Sequence, residues 1–400
     1  MRISWWLSSS VHPSQAQDPS SAAGPRPSSV VPETGVGPSH DTGHPVARLS
    51  RTARFSVMEP ANGGYRGKRG SWVRALLALA ALLIVLGFDY PFSVPSGSEF
   101  DNSDNGVWIE ARWSDSQVPS EERQDMVRKL ASHGVRWIYA DEGELRADGS
   151  LPGVNSMYAG ALAEDVRIAR PLSPTISTRL LAWISGRNHN GGGNLRLGDP
   201  AVRQRIVGAC KYFVEQLGFD GVHLDIEPAP SGDPDYLQLL DEVRNGIGAK
   251  TISVAAMKWT PIAPSLDNVS FLPYSWERGY YREVALRVDQ VVLMDYDTAI
   301  PVANLYIKYA GWQTSEVLDA VRDFQQCKVL IGVPTYSDER WNFHPSAENL
   351  GSGLQGVIEA LRDLRGRGVF PQNFAGVALF ASSTTTPDEW ATFDKVWRGK

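Results

Sequence analysis

From about residue 105 to the C-terminus, short apolar, β-branched runs alternate with amphipathic stretches eight times. The runs occupy 106–109, 135–139, 180–184, 221–226, 251–256, 290–294, 329–333 and 376–381. Runs that are apolar on both faces suit parallel strands covered by helices, not strands with one wet face. Asp199-Pro200 and Asp233-Pro234 each supply an N-cap acid followed by a proline at the first helical position. A helix over 354–365 should stop at Gly366 and Gly368, and one over 314–324 gathers Val317, Leu318 and Val321 on one face. Eight βα units in just under 300 residues predict an α/β fold, a (β/α)8 TIM barrel. A doubly wound open sheet is the rival. It loses ground because no glycine-rich phosphate loop follows the first strand. The GGGN at 191–194 has neither the spacing nor the lysine of a P-loop. In a barrel the chemistry belongs at the C-terminal strand ends.

The first hundred residues fall outside that pattern. Residues 1–71 form a basic tail rich in Pro, Ser and Gly, expected to be disordered, and Met58 offers an alternative start. Residues 72–88 hold an apolar run, ALLALAALLIVLGF, preceded by Arg66, Lys68, Arg69 and Arg74. This is the layout of a signal peptide or signal anchor, which places the downstream chain outside the cytoplasm. No cleavage motif decides between a secreted and a membrane-anchored product. Residues 89–104 read as linker, and 105–400 as the barrel. Residues 1–74 carry 9 Lys+Arg against 4 Asp+Glu, leaving 30 against 41 in the rest. A body that acidic is not expected to bind nucleic acid. Two cysteines, Cys210 and Cys327, are too few for a disulfide scaffold and read as small buried residues.

The fourth strand carries the ionisable groups. In GVHLDIE, residues two apart share a face, so His223, Asp225 and Glu227 point one way and Val222, Leu224 and Ile226 the other. Three such groups inside a barrel are costly unless paired. Close carboxylates cannot all ionise, so one pKa should rise. Glu227, last on the strand, is the expected proton donor, and Asp225 the group that holds and tunes it. A metal site is a second use of His223, Asp225 and Glu227, which would make a metal-dependent hydrolase or deacetylase. His189 and His344 follow other strands, but neither has a paired spacing.

The run DGVHLDIE resembles the DGxDxDxE signature of family 18 glycoside hydrolases, the chitinase-like (β/α)8 enzymes. Met294-Asp295-Tyr296-Asp297 is similar to the MxYD motif of that family, and Gly332-Val333-Pro334-Thr335-Tyr336 to its GxPxYG segment. The resemblance implies a glycosidase without cofactor or metal, acting as a monomer on polysaccharide that contains β-linked N-acetylglucosamine. It implies that Glu227 protonates the glycosidic oxygen and that Asp225 orients the 2-acetamido group, which attacks the anomeric carbon. Tyr296 would hydrogen-bond that group, with Asp297 beside it and Asp220 and His223 completing the motif. No carboxylate ends strand seven, where a retaining enzyme with its own nucleophile would need one. Two positions depart from the pattern: His223 replaces an aspartate that shares a proton with Asp225, and Phe380 stands where a strand-eight tryptophan is expected.

Aromatic residues after the strands, Trp113, Trp259, Tyr274, Trp276, Tyr280, Tyr281, Trp312, Trp341 and Phe343, are candidate sugar platforms, with Met294, Tyr336 and Phe380. Trp137, Trp183 and Trp390 read as core. The departures at 223 and 380 keep a non-catalytic carbohydrate-binding barrel in view as an alternative.

Overall fold

The computed structural model describes residues 94–170, 176–261, 275–338 and 344–400. The apolar segment at 72–88 lies outside them. Among the described residues no helix is long and apolar enough to cross a membrane.

The eight expected strands are all present: β1 (Asn105–Ile109), β2 (Val135–Glu144), β3 (Arg179–Arg187), β4 (Gly221–Glu227), β5 (Thr251–Ala256), β6 (Gln290–Met294), β7 (Lys328–Pro334) and β8 (Phe374–Phe380). They close into a parallel barrel in which β1 pairs with both β2 and β8. Among the described residues eight helices of seven or more residues accompany them: α1 (Ser120–Ser132), α2 (Ser156–Ala169), α3 (Pro200–Lys211), α4 (Pro234–Ile247), α5 (Arg278–Ala285), α6 (Ala303–Val321), α7 (Leu350–Gly366) and α8 (Pro387–Phe393). Side chains of Asp199 and Asp233 accept from backbone N–H groups in the first turns of α3 and α4, as the Asp-Pro pairs predict. Helix α6 begins eleven residues before the expected 314, so Trp312 lies on a helix and not in a loop. Its first turns mix aromatic and polar residues, which hides the helical period.

The barrel is closed at its base by polar side chains. Asp104 accepts from Trp137 Nε1 at 2.8 Å and from Arg136 at 3.2 Å, and pairs with Lys328. Asn105 seals the seam, its Oδ1 accepting from Val377 N at 3.1 Å and Trp397 Nε1 at 3.0 Å. Residues 98–100, read as linker, form a short turn whose Phe100 is buried against Phe370. The barrel's base therefore starts before β1. Cys210 and Cys327 are buried and free.

Candidate active site

Strand β4 sets the site. Its register against β3 puts Trp183 opposite His223, Ser185 opposite Asp225 and Arg187 opposite Glu227. The alternation expected from sequence is present: Val222, Leu224 and Ile226 are buried outward under the helices. Trp183 Nε1 donates to Asp225 Oδ2 at 2.9 Å. The other oxygen, Oδ1, meets no N–H or hydroxyl donor. The Asp225 carboxyl also interacts with the carboxyl of Glu227, a pairing that requires a proton on one of the two.

Burial raises the Glu227 pKa well above the usual carboxylate range, and the Asp225 charge and the shared hydrogen bond raise it further. Lys258, just past β5, pulls the other way, and Asp297 adds to the rise. Burial also raises Asp225, while its bonds to Glu227 and Trp183 oppose the shift. The pair therefore titrates as a unit, with one proton retained to higher pH than a free carboxyl allows.

Around the pair stands an aromatic wall. Tyr296, just beyond β6, lies flat against Phe380 at the end of β8, with ring centroids 4.7 Å apart and planes 11° from parallel. Trp108 of β1 meets both rings edge-on, at 6.2 and 5.5 Å. Burial raises the Tyr296 pKa well above 10, so its hydroxyl stays a donor. Gly332 makes room for this ring: a Cβ there would sit 2.9 Å from Tyr296 Cε1 and 2.6 Å from Leu293 O.

Asp297 takes a left-handed backbone, with φ 56°. Its N–H donates to the Tyr336 hydroxyl at 3.3 Å, and that hydroxyl donates to Glu348 Oε2 at 2.5 Å. Glu348, fully buried, also accepts from Thr298 N at 3.0 Å, Ile300 N at 3.1 Å and the Thr298 hydroxyl. A carboxylate that accepts this many donors can stay buried. It fixes the loop carrying Tyr296 and Asp297.

His223 is completely buried. Trp108 Nε1 donates to its Nε2 at 3.2 Å, and its Nδ1 lies 2.8 Å from Ser253 Oγ. Burial lowers its pKa to about 3, which keeps it neutral.

A family model for glycosyl hydrolases family 18 matches residues 172–395, more than half the chain and every strand from β3 to β8. The chain belongs to glycosyl hydrolase family 18. It is thus a glycoside hydrolase by family, and a divergent one. Among solved structures it is similar to the spore cortex-lytic enzyme SleL of Bacillus cereus, at 14% identity over 74% of each chain with a TM-score of 0.48. It is also similar to a class V chitinase from Pseudomonas fluorescens, at 13% identity over 74% of this chain and 99% of that one, with a TM-score of 0.49. No curated protein sequence matches it.

The family 18 signature residues divide into two groups. Asp225, Glu227, Tyr296 and Asp297 come together: the charges of Asp225, Glu227 and Asp297 all act on the Tyr296 hydroxyl. Asp220, expected among the catalytic residues, does not join them. It precedes the first residue of β4, roughly 20 Å of strand from Glu227 at ~3.3 Å per residue. There it binds Leu180 N at 2.9 Å, Arg170 at 2.6 Å and Arg179 at 3.1 Å. It ties β4 to β3 at the base. His223 is likewise corrected: its ring nitrogens bond Trp108 and Ser253, not Asp225.

Trp113 and Trp259 are also corrected as sugar platforms, being 6% and 9% exposed. The Arg112 guanidinium covers one face of Trp113, whose N–H goes to Glu110. Trp259 packs edge-on against Trp312, 4.9 Å away. Trp276, Tyr280 and Tyr281 are buried as well. Trp341, Phe343 and Tyr274 lie outside the described residues. Met294 and Tyr336 are buried too and are corrected as substrate-binding residues, whereas Phe380 is partly exposed. Trp183, read as core, is instead partly exposed and bonds Asp225. Glu348 carried no sequence signal: it follows β7 by a loop and belongs to no motif. Among the described residues no group of three His, Cys, Asp or Glu is arranged to hold a metal ion.

Proposed function

We propose that this protein hydrolyses β-linked polysaccharide containing N-acetylglucosamine, outside the cytoplasm, with the substrate's own acetamido group as nucleophile. The observation that carries the reading is the buried carboxyl pair of Asp225 and Glu227, bonded by Trp183 and set beside a neutral Tyr296. Glu227 gives that proton to the glycosidic oxygen as the bond to the anomeric carbon breaks. Asp225, left charged, holds the acetamido N–H, and Tyr296 donates to the acetamido carbonyl. The carbonyl oxygen attacks the anomeric carbon and closes a cyclic oxazolinium. Glu227, now a base, takes a proton from the water that opens it, with net retention.

The nucleophile is assigned to substrate because β7 ends at Pro334 and runs on into Thr335-Tyr336-Ser337, without an acid. The carboxylate held there, Glu348, is buried with its oxygens engaged. Chitin fragments, N-glycan cores, peptidoglycan and poly-N-acetylglucosamine all present the required group. The test compares aryl chitooligosaccharides with their N-deacetylated counterparts. The deacetylated substrates should lose at least about 100-fold in kcat/KM, the scale of a missing positioned group. Equal turnover would assign the nucleophile to the protein.

Export is proposed from the basic residues that precede the apolar run of 75–88. Alkaline phosphatase fused after residue 104 should be active in an exporting bacterial host. A fusion active only after cell lysis under oxidising conditions would contradict export.

A further inference from the structure

We propose that His223 and Trp108 are positioning residues that confine the catalytic proton to the Asp225–Glu227 pair, by locking the imidazole beneath it in one neutral tautomer. The inference rests on the catalytic reading of that pair and adds what lies under it.

The lock follows from a single donor. An indole N–H can only donate. Trp108 Nε1 lies 3.2 Å from His223 Nε2, so Nε2 must carry a lone pair. A neutral imidazole then has its proton on Nδ1. Nδ1 donates to Ser253 Oγ at 2.8 Å. The serine, having accepted there, donates its own proton to Gln290 Oε1 at 2.7 Å. The Tyr139 hydroxyl donates to the same oxygen at 2.8 Å. From His223 onward every proton in the chain thus points away from β4. The cost is visible at its end, where Gln290 Nε2 is buried without a partner. Flipping that amide would remove the acceptor that the Ser253 and Tyr139 hydroxyl protons share.

Protonating His223 would set an N–H against the Trp108 N–H and put a charge in a site with no exposure. Tyr139 stacks on the ring at 4.2 Å, and burial keeps its phenol neutral. The titratable group nearest on its own strand is Asp225. Asp225 and Glu227 are faced from other elements by Lys258, Asp297, Tyr296 and Tyr236. Neither His223 nor Tyr139 can therefore take or supply the proton of the pair from below.

Two variants separate this role from mere packing. His223→Gln can accept from Trp108 and donate to Ser253, so it should keep the wild-type alkaline limb of the kcat/KM profile. His223→Asp places a third carboxyl below the pair. Its charge should move that limb about one pH unit upward. An aspartate profile that coincides with wild type, or a glutamine profile displaced as far as the aspartate one, would overturn the proposal. A readout that needs no turnover accompanies them. The 15N imidazole spectrum of the full chain, assigned by its loss in His223→Gln, should show Nδ1 protonated and Nε2 bare, with no titration from pH 5 to 9. A His223 that titrates in that range, or carries its proton on Nε2, would overturn the proposal even in a protein without hydrolase activity. Lack of hydrolysis with the predicted spectrum would instead remove the functional reading.

Discussion

Replacing Glu227 with glutamine should lower kcat on aryl N-acetylchitooligosaccharides by about 10²–10⁴-fold, the usual contribution of a positioned general acid. Glutamine keeps the size and the hydrogen-bonding capacity of the side chain but has no proton to give. Its amide can still donate to Asp225 Oδ1, which otherwise meets no N–H or hydroxyl donor. The fold should therefore survive, and KM should change little, so that the loss lies in the chemical step. Steady-state kinetics of the two proteins at one pH decide the matter. Turnover within a few-fold of wild type would mean that the proton comes from elsewhere.

The second large effect is expected far from any signature residue. Glu348→Ala should cost about 3–5 kcal/mol of stability, the scale of removing one partner from a buried charged network. Four donors lose their acceptor at once: Thr298 N, the Thr298 hydroxyl, Ile300 N and the Tyr336 hydroxyl. Those groups hold the left-handed turn at Asp297 and the loop that presents Tyr296. Activity should fall with stability, and Glu348→Gln, which retains one acceptor oxygen, should lose less of both. Urea unfolding followed by tryptophan fluorescence measures the first effect. A Glu348→Ala protein within 1 kcal/mol of wild type would show that water replaces the carboxylate at little cost.

The strands, their order and the shared face of His223, Asp225 and Glu227 were legible because each follows from local periodicity. What a side chain meets across the barrel was not. Two-residue alternation turns His223 inward, but whether it bonds Asp225 or turns from it is decided by Trp108, 115 positions away in the chain. Trp183 read as core because an apolar strand surrounds it, and its N–H bond to Asp225 leaves no trace in that pattern. The loop tryptophans failed for the opposite reason. Position after a strand suggests exposure, yet Trp113 is covered by its own neighbour Arg112 and Trp259 by helix α6, whose start the sequence hides. Glu348 was invisible because its partners belong to two separate segments and its own segment has no period. Asp220 shows the limit of motif reading: it sits in the signature, but strand length places it at the other end of the barrel from Glu227.

The central claim is that one proton, shared by Asp225 and Glu227 and retained to higher pH than a free carboxyl allows, is the proton that cleaves the bond. The acid must be protonated to act, so activity is present below the upper ionisation of the pair and is lost as pH rises through it. Burial and the neighbouring charge raise that ionisation, and Lys258 opposes them at Glu227. The pH dependence of wild-type kcat/KM is the most direct measurement. It should show an alkaline limb well above ~4.3, the value for an unperturbed glutamate, and no such limb in the residual activity of Glu227→Gln. A wild-type limb at the ordinary carboxylate value, or one that persists unchanged in the glutamine variant, would contradict it.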